Sequence, residues 1–370
     1  MSVAGKLAKP GPRTLLALDG GGIRGLIAVQ VLAEIERQLQ EASGRGDDFV
    51  LADYFDYIAG TSTGALIAVA LSLGMRASEI RDFYLEGSKR LFQPTRPWRR
   101  FQNRYSHAWL ARVLQEVIGE ETTLGSDRLK TLLLLIMRNA STNSPWPVSN
   151  NPNAHYNRRA EGSNLDLPLW QLVRASTAAP TYFSPEVITV GKQAFVFVDG
   201  GVTVYNNPAF QLFVMATAQP YRLEWPTGAD RMLLVSIGTG VNPGANANLR
   251  PGQMNLLYNA ASVPSALMSA ALQEQDLLCR VFGDCRHGDP IDNEVGDLRG
   301  TRGPAEPKLF TYLRYNAELS RPGLNRLGLR EIAPELVQRL DSVQHVAELE
   351  AVGRALAREV ASAHFAGFPP

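Results

Sequence analysis

Cysteine is scarce in this 370-residue chain, with only Cys279 and Cys285 present. Two thiols cannot build a disulfide framework, and no metal-type spacing of His, Cys, Asp or Glu surrounds them, so free thiols are expected. Histidine is nearly as rare, at five copies, which leaves few candidates for imidazole chemistry. Neither sign of charge dominates. The 37 basic and 36 acidic side chains leave a formal net charge of +1, which gives no bulk attraction for a nucleic acid polymer. Long apolar runs are missing too: Ala65–Leu73 and Leu132–Met137 fall far short of the ~20 residues of a membrane span. The first residues carry Lys6, Lys9 and Arg13 without an apolar core segment, so no signal peptide is read and a cytoplasmic setting is expected. No internal repeat and no acidic calcium loop is visible.

The chain has a 45% hydrophobic composition and 32 glycines. That is enough to bury one large α/β core with an extension. The most telling glycines flank a serine in Gly60-Thr61-Ser62-Thr63-Gly64. An apolar run, Phe55 to Ala59, precedes this stretch, and another, Ala65 to Leu73, follows it. The pattern is the strand, sharp turn and helix of a G-x-S-x-G nucleophile elbow. A Cβ at either flank, Gly60 or Gly64, would crowd the turn. The Ser62 hydroxyl would then stand at a helix N-terminus, whose free N–H groups favour developing negative charge.

Two further blocks belong with this one. Thr14-Leu15-Leu16-Ala17-Leu18 reads as a buried strand. It runs into Asp19-Gly20-Gly21-Gly22-Ile23-Arg24-Gly25 and then an amphipathic helix with Ala28, Leu32, Ile35 and Leu39 at helical spacing. Three successive glycines leave bare N–H groups that can converge on an anion. Far downstream, Phe195-Val196-Phe197-Val198 is a short strand ending in Asp199-Gly200-Gly201, which places a carboxylate where α/β sheets put their chemistry.

In order, these blocks resemble the patatin-like phospholipases, a family of serine acyl hydrolases. The likeness extends to Leu172–Phe183, Asn206-Asn207-Pro208 and Leu234–Gly240, and covers roughly Arg13 to Gly240. It implies a three-layer α/β fold with a central, mostly parallel sheet in a 13–240 domain, followed by a mainly helical C-terminal extension over 241–370. It also implies Ser62 as nucleophile, Asp199 as base with Gly200 and Gly201 in its turn, and Gly20, Gly21, Gly22 and Arg24 as the oxyanion loop. No metal or cofactor is implied. The expected reaction is hydrolysis of glycerophospholipid esters at a membrane surface by a protein otherwise free in the cytoplasm, peripheral to the inner membrane when active. Asn206–Gln211 and the helical tail are similar to antiphage phospholipase effectors. That narrower likeness implies a cyclic nucleotide activator. The residues after Gly240 and the stretch Gln93–Arg104 are not needed to build the dyad, so a switch is expected there, either as a lid over the Ser62 cleft or as a surface for self-association.

Two rival readings of the same residues stand beside this one. Gly20-x-Gly22-x-x-Gly25 also fits a dinucleotide fingerprint, which would make the chain a nucleotide-binding module. That fingerprint needs an acidic residue closing the second strand, and Asp47 and Asp48 sit in a polar turn before it. A Ser-Asp-His esterase would instead draw on His287, His345 or His364, none of which has a strand-end setting.

Elsewhere, Ser78 is expected to cap a helix through Leu91, and Ser106 to Ile118 reads as a helix ended by Gly119. Between them, Arg96, Arg99, Arg100 and Arg104 interleave with Trp98, Phe101 and Tyr105, a composition suited to a lipid or phosphate contact. Ser141–Asn164 reads as a surface excursion. Asn207 is expected to cap a helix opened by Pro208, and Met232–Ile237 is read as a strand. Beyond Gly240, the expectations are a linker to about Gly252, a helix through Leu278, a strand within Lys308–Tyr315 and a final helix from near Ser342.

Overall fold

The computed structural model describes residues 2–91, 105–243 and 249–370. The Arg/aromatic stretch from Gln93 to Arg104 and part of the linker after Gly240 therefore lie outside the described residues.

The order of elements alternates as the hydrophobic pattern demands. A short helix α1 (Val3–Ala8) precedes β1 (Arg13–Leu18) and the long α2 (Gly25–Ser43). The chain continues through α3 (Leu51–Tyr54), β2 (Tyr57–Thr61), α4 (Thr63–Ser72), α5 (Ala77–Leu91) and α6 (His107–Ile118). Next come β3 (Leu132–Asn139), β4 (Ser144–Ser149), α7 (Leu169–Ser176), β5 (Glu186–Val190), β6 (Gln193–Asp199), α8 (Ala209–Thr217) and β7 (Met232–Ile237). The last third holds α9 (Leu256–Phe282), β8 (Asp284–His287), β9 (Thr311–Tyr315), α10 (Arg321–Arg326), α11 (Pro334–Gln338) and α12 (Val346–Ala357).

The strands form one nine-stranded sheet in the order β5-β6-β3-β2-β1-β7-β9-β8, with β4 beside β3. From β3 through β8 the pairings along this path are parallel, while β4, β5 and β6 join antiparallel. Helices cover both faces, which is why β1 is buried at every position instead of alternating with solvent. Its side chains still alternate between two cores. Leu16 and Leu18 pack with α2, α4 and α12, whereas Leu15 and Ala17 pack with α8 and the end of α9. The result is a three-layer α/β fold.

Several local expectations need correction. Ser78 lies inside α5; the Ala77 amide at its start donates to the Glu36 carboxylate at 3.2 Å. Helix α8 opens at Ala209, one residue later than expected, with Pro208 in the cap position and Asn207 Oδ1 accepting from the Ala209 amide at 3.0 Å. The final helix starts at Val346, not near Ser342. Ser141–Asn164 is not simply a surface loop: it contains β4, and Asn150, Asn151 and Asn157 are buried. Their amides serve as backbone partners, as when Asn150 Oδ1 accepts from the Leu133 amide at 2.7 Å. The segment after Gly240 is rich in helix but also completes the sheet. All five residues of β9 are buried, with Val235 of β7 in register with Leu313.

Candidate active site

Strand β3 brings the two halves of the site together. Thr61 at the end of β2 is in register with Ile136, and Asp199 at the end of β6 is in register with Met137. Neighbouring residues of one strand thus set Ser62 and Asp199 side by side, although 137 residues separate them in the chain. The Ser62 hydroxyl donates to Asp199 Oδ2 at 2.7 Å.

The turn carrying Ser62 is tight for the reason its flanking glycines suggest. Any Cβ on Gly60 would collide with the Gly64 carbonyl, and one on Gly64 would collide with the Leu18 carbonyl. Ser62 itself sits at φ 55°, ψ −122°, a left-handed conformation that costs a non-glycine residue energy. Ser176 stabilises this backbone. The Ser62 amide donates to Ser176 Oγ at 2.9 Å, and that hydroxyl donates to the Ile136 carbonyl at 2.6 Å.

Asp199 is 4% exposed. Its Oδ1 accepts the Gly201 amide at 2.6 Å, leaving Oδ2 for Ser62. Burial pushes the carboxyl up to about 6, against the opposing pull of the Ser62 hydroxyl, the Gly201 amide and the Arg174 guanidinium. Gly200 fits because a Cβ there would meet the Ile136 carbonyl.

The glycine loop lies alongside: a Cβ on Gly20 would stand 3.2 Å from Ser62 Cβ. Its amides are not equivalent. The Gly20 amide donates to the Asn206 carbonyl at 3.1 Å and the Ile23 amide to the Leu340 carbonyl at 3.0 Å. That commitment removes Gly20 from the donors the loop can offer, contrary to its expected part. The amides of Gly21 and Gly22 have no partner among the described residues. Gly22 occupies φ +59°, which favours glycine. Thr63, unremarked in the sequence, adds a further donor: its amide heads α4, where no intrahelical acceptor exists. The signal for it was the elbow itself, since the residue after the nucleophile commonly donates there. Arg24 lines the same cleft, donates from Nη1 to the Gln338 carbonyl at 3.3 Å, and is lowered by burial to about 10.

The cleft over Ser62 holds about 2330 Å³ and is walled by Leu66, Leu110, Phe183, Val202 and Met268 among others. Its predominantly apolar walls suit an acyl chain. Among the described residues no histidine lines it. His364 Nδ1 is bonded to the Tyr315 hydroxyl at 2.7 Å, His287 pairs with Glu359 at 3.3 Å, and His345 pairs with Glu348 at 3.4 Å. The structure therefore does not bring the three triad candidates to Ser62. Nor does it support the dinucleotide fingerprint. Asp47 and Asp48 lie in the turn Gly46–Asp48, with Asp47 exposed and paired to Arg76 at 3.3 Å. Tyr105, the described end of the Arg/aromatic stretch, stacks on Tyr182 with ring centres 6.3 Å apart. Among the described residues no helix is long and apolar enough to cross a membrane, and no group of three or more His, Cys, Asp or Glu could hold a metal ion.

Comparison with known proteins bears on family and fold. Over residues 16–213 the chain matches the family model described as patatin-like phospholipase. It is 32% identical over 324 residues to Patatin-like protein 1 of Arabidopsis thaliana, covering 75% of each chain. It is 36% identical over 208 residues to the cGAMP-activated phospholipase of Vibrio cholerae, covering 53% of this chain and 55% of that one. The chain thus spans three quarters of the first relative's length but little more than half of the second's. In fold it is similar to human GIVD cytosolic phospholipase A2, with a TM-score of 0.51 at 13% identity over 96% of this chain and 60% of the other. With half of its length matched and a relative aligned over three quarters, the chain belongs to the patatin-like phospholipase family.

Proposed function

We propose that this protein is a serine lipid acyl hydrolase of phospholipase A type, working through a Ser62–Asp199 dyad on carboxylic esters of membrane glycerophospholipids. The observation that carries the reading is the 2.7 Å hydrogen bond from the Ser62 hydroxyl to a buried carboxylate whose pKa stands near 6. A carboxylate at its ordinary value is a weak base for a hydroxyl; one raised toward neutrality is better matched to the task.

As Ser62 Oγ attacks the ester carbonyl, its proton passes to Asp199 Oδ2. The negative charge that develops on the carbonyl oxygen is met by the N–H groups of Gly21, Gly22 and Thr63 at the N-terminus of α4. Collapse of the tetrahedral intermediate breaks the ester C–O bond, and Asp199 returns the proton to the departing lysolipid alcohol. Water then attacks the acyl-enzyme with Asp199 as base, and its proton is returned to Ser62 as the fatty acid leaves. Every proton is carried by the one carboxylate, so no histidine enters the cycle.

Activation by a cyclic nucleotide, as the Vibrio relative's description states for that protein, is the regulatory reading its 36% identity favours. Such a ligand would act by binding the active arrangement more tightly than the resting one. The test is release of free fatty acid from phosphatidylglycerol vesicles, followed by mass spectrometry, with and without cyclic di- and trinucleotides. Loss of release in Ser62→Ala supports the hydrolase. Release that is equal in both proteins overturns it. Stimulation by one nucleotide supports the regulatory reading, and full activity without any of them overturns it.

A further inference from the structure

The glycine loop is anchored mainly by residues that follow it at great distance in the chain. Asp19, which heads the loop, is 2% exposed and faces Arg314 of β9, which is 4% exposed. Arg314 Nη1 donates to Asp19 Oδ1 at 3.0 Å and Nη2 to Oδ2 at 2.6 Å, a two-pronged pairing that fixes the orientation of both groups. The same Nη1 donates to Ser236 Oγ at 2.7 Å, and Ser236 donates to Asn207 Oδ1 at 3.3 Å. Asn206, next in the chain, accepts the Gly20 amide, while Thr239 Oγ1 donates to the Gly20 carbonyl at 2.8 Å. Asp19, Arg314, Ser236, Asn207, Asn206 and Gly20 thus close a ring of contacts around the turn whose next two amides, Gly21 and Gly22, have no partner among the described residues.

We propose that Arg314 is a positioning residue for the reaction: by gripping Asp19 it holds the Gly21 and Gly22 amides where the oxyanion forms. The inference rests on the hydrolase reading above. Its physical basis is that a donor contributes only when it is already aimed, and a displacement of about 1 Å costs on the order of 10²-fold in rate. A buried guanidinium forked onto a carboxylate resists rotation in a way that a lysine ammonium, a point charge on a flexible stem, does not. The location also gives the last third of the chain a part in positioning the loop: it supplies the strand that carries Arg314.

The experiment uses the full chain as wild type, Arg314→Lys, Arg314→Gln, which leaves the Asp19 charge unpaired, and the neutral pair Asp19→Asn/Arg314→Gln. Three quantities are read: hydrogen exchange of the Gly20 and Ile23 amides, thermal midpoint, and kcat and KM for a soluble p-nitrophenyl ester. In Arg314→Lys the two amides should exchange at least about tenfold faster, and kcat should fall about 10²-fold with KM within about twofold. The neutral pair removes both buried charges, so its midpoint should recover relative to variants with one charge unpaired, while kcat stays low. A kcat that recovers along with the midpoint would make Arg314 merely structural and overturn the proposal. So would a folded Arg314→Lys with unchanged exchange and kcat. Amide exchange does not depend on turnover. If ester hydrolysis persists in Ser62→Ala, the hydrolase reading fails while the exchange result still reports on the anchoring of the loop.

Discussion

Ser176 supports the backbone of Ser62: its hydroxyl accepts from the Ser62 amide at 2.9 Å and donates to the Ile136 carbonyl at 2.6 Å. One small side chain therefore satisfies two backbone groups at the point where the chain is held at φ 55°. Ser176→Ala should destabilise the fold by roughly 1–3 kcal/mol, because it leaves a buried donor and a buried acceptor unpaired. It should also lower kcat, since the elbow conformation loses its lock. Chemical denaturation and ester kinetics measure the two effects. A variant with unchanged stability and unchanged turnover would show that the elbow holds itself.

Asp199 should set the pH dependence. As a base it works only when ionised, and burial places that ionisation near 6. Activity should therefore rise with pH through about 6 and level off above it, with about a tenth remaining one unit below the midpoint. The kcat/KM profile of a soluble ester over pH 4–9 checks this. A rising limb centred near 4 would mean that Asp199 behaves as an ordinary exposed carboxylate.

The same shift makes Asp199 a stability cost at working pH. Its folded pKa lies above the ordinary value, so whatever stability it contributes is present below that value and is lost as pH rises through about 6. Asp199→Asn keeps the shape and removes the buried charge. It should be inactive yet more stable than wild type at pH 8, on the order of 1–3 kcal/mol, with the gain vanishing near pH 4. Denaturant midpoints at the two pH values give the comparison, and a destabilised variant at pH 8 would contradict the sign.

Gly21→Ala and Gly22→Ala should each cost turnover far more than binding. A Cβ on Gly21 would collide with Thr239 and one on Gly22 with the Leu340 carbonyl, displacing amides that have no partner among the described residues. Losing one such donor typically lowers kcat by ~10²–10³. Steady-state kinetics on a soluble ester separates the two parameters. A glycine variant with a normal kcat and raised KM would remove the loop from the oxyanion role.

Much of the site was legible because its chemistry is local. The glycines around Ser62, the glycine run after Asp19 and the Asp199 turn each announce themselves within five to seven residues. Parallel strands β1, β2, β3 and β7 were equally plain as apolar runs. What escaped was either non-local or disguised. Strand β4 carries Pro145 and Pro147, which read as loop, yet it pairs at the sheet beside β3. Strand β8 is short and charged, with only Cys285 buried. The Asn-rich stretch after β4 reads as solvated, yet Asn150, Asn151 and Asn157 are buried as a set of amide clamps. Arg314 lies 295 residues from Asp19, and no local pattern could pair them. The Gly20 amide is set apart from those of Gly21 and Gly22 by the Asn206 carbonyl, which only the folded chain brings near.

The most direct test of the central claim is covalent capture of the nucleophile by a fluorophosphonate, read by peptide mass mapping in wild type, Asp199→Asn and the alanine variants of His287, His345 and His364. The dyad predicts a single adduct on Ser62, a rate of labelling that collapses in Asp199→Asn, and full labelling in all three histidine variants. An adduct on another residue, or labelling that survives in Asp199→Asn and disappears with one of the histidines, would contradict it.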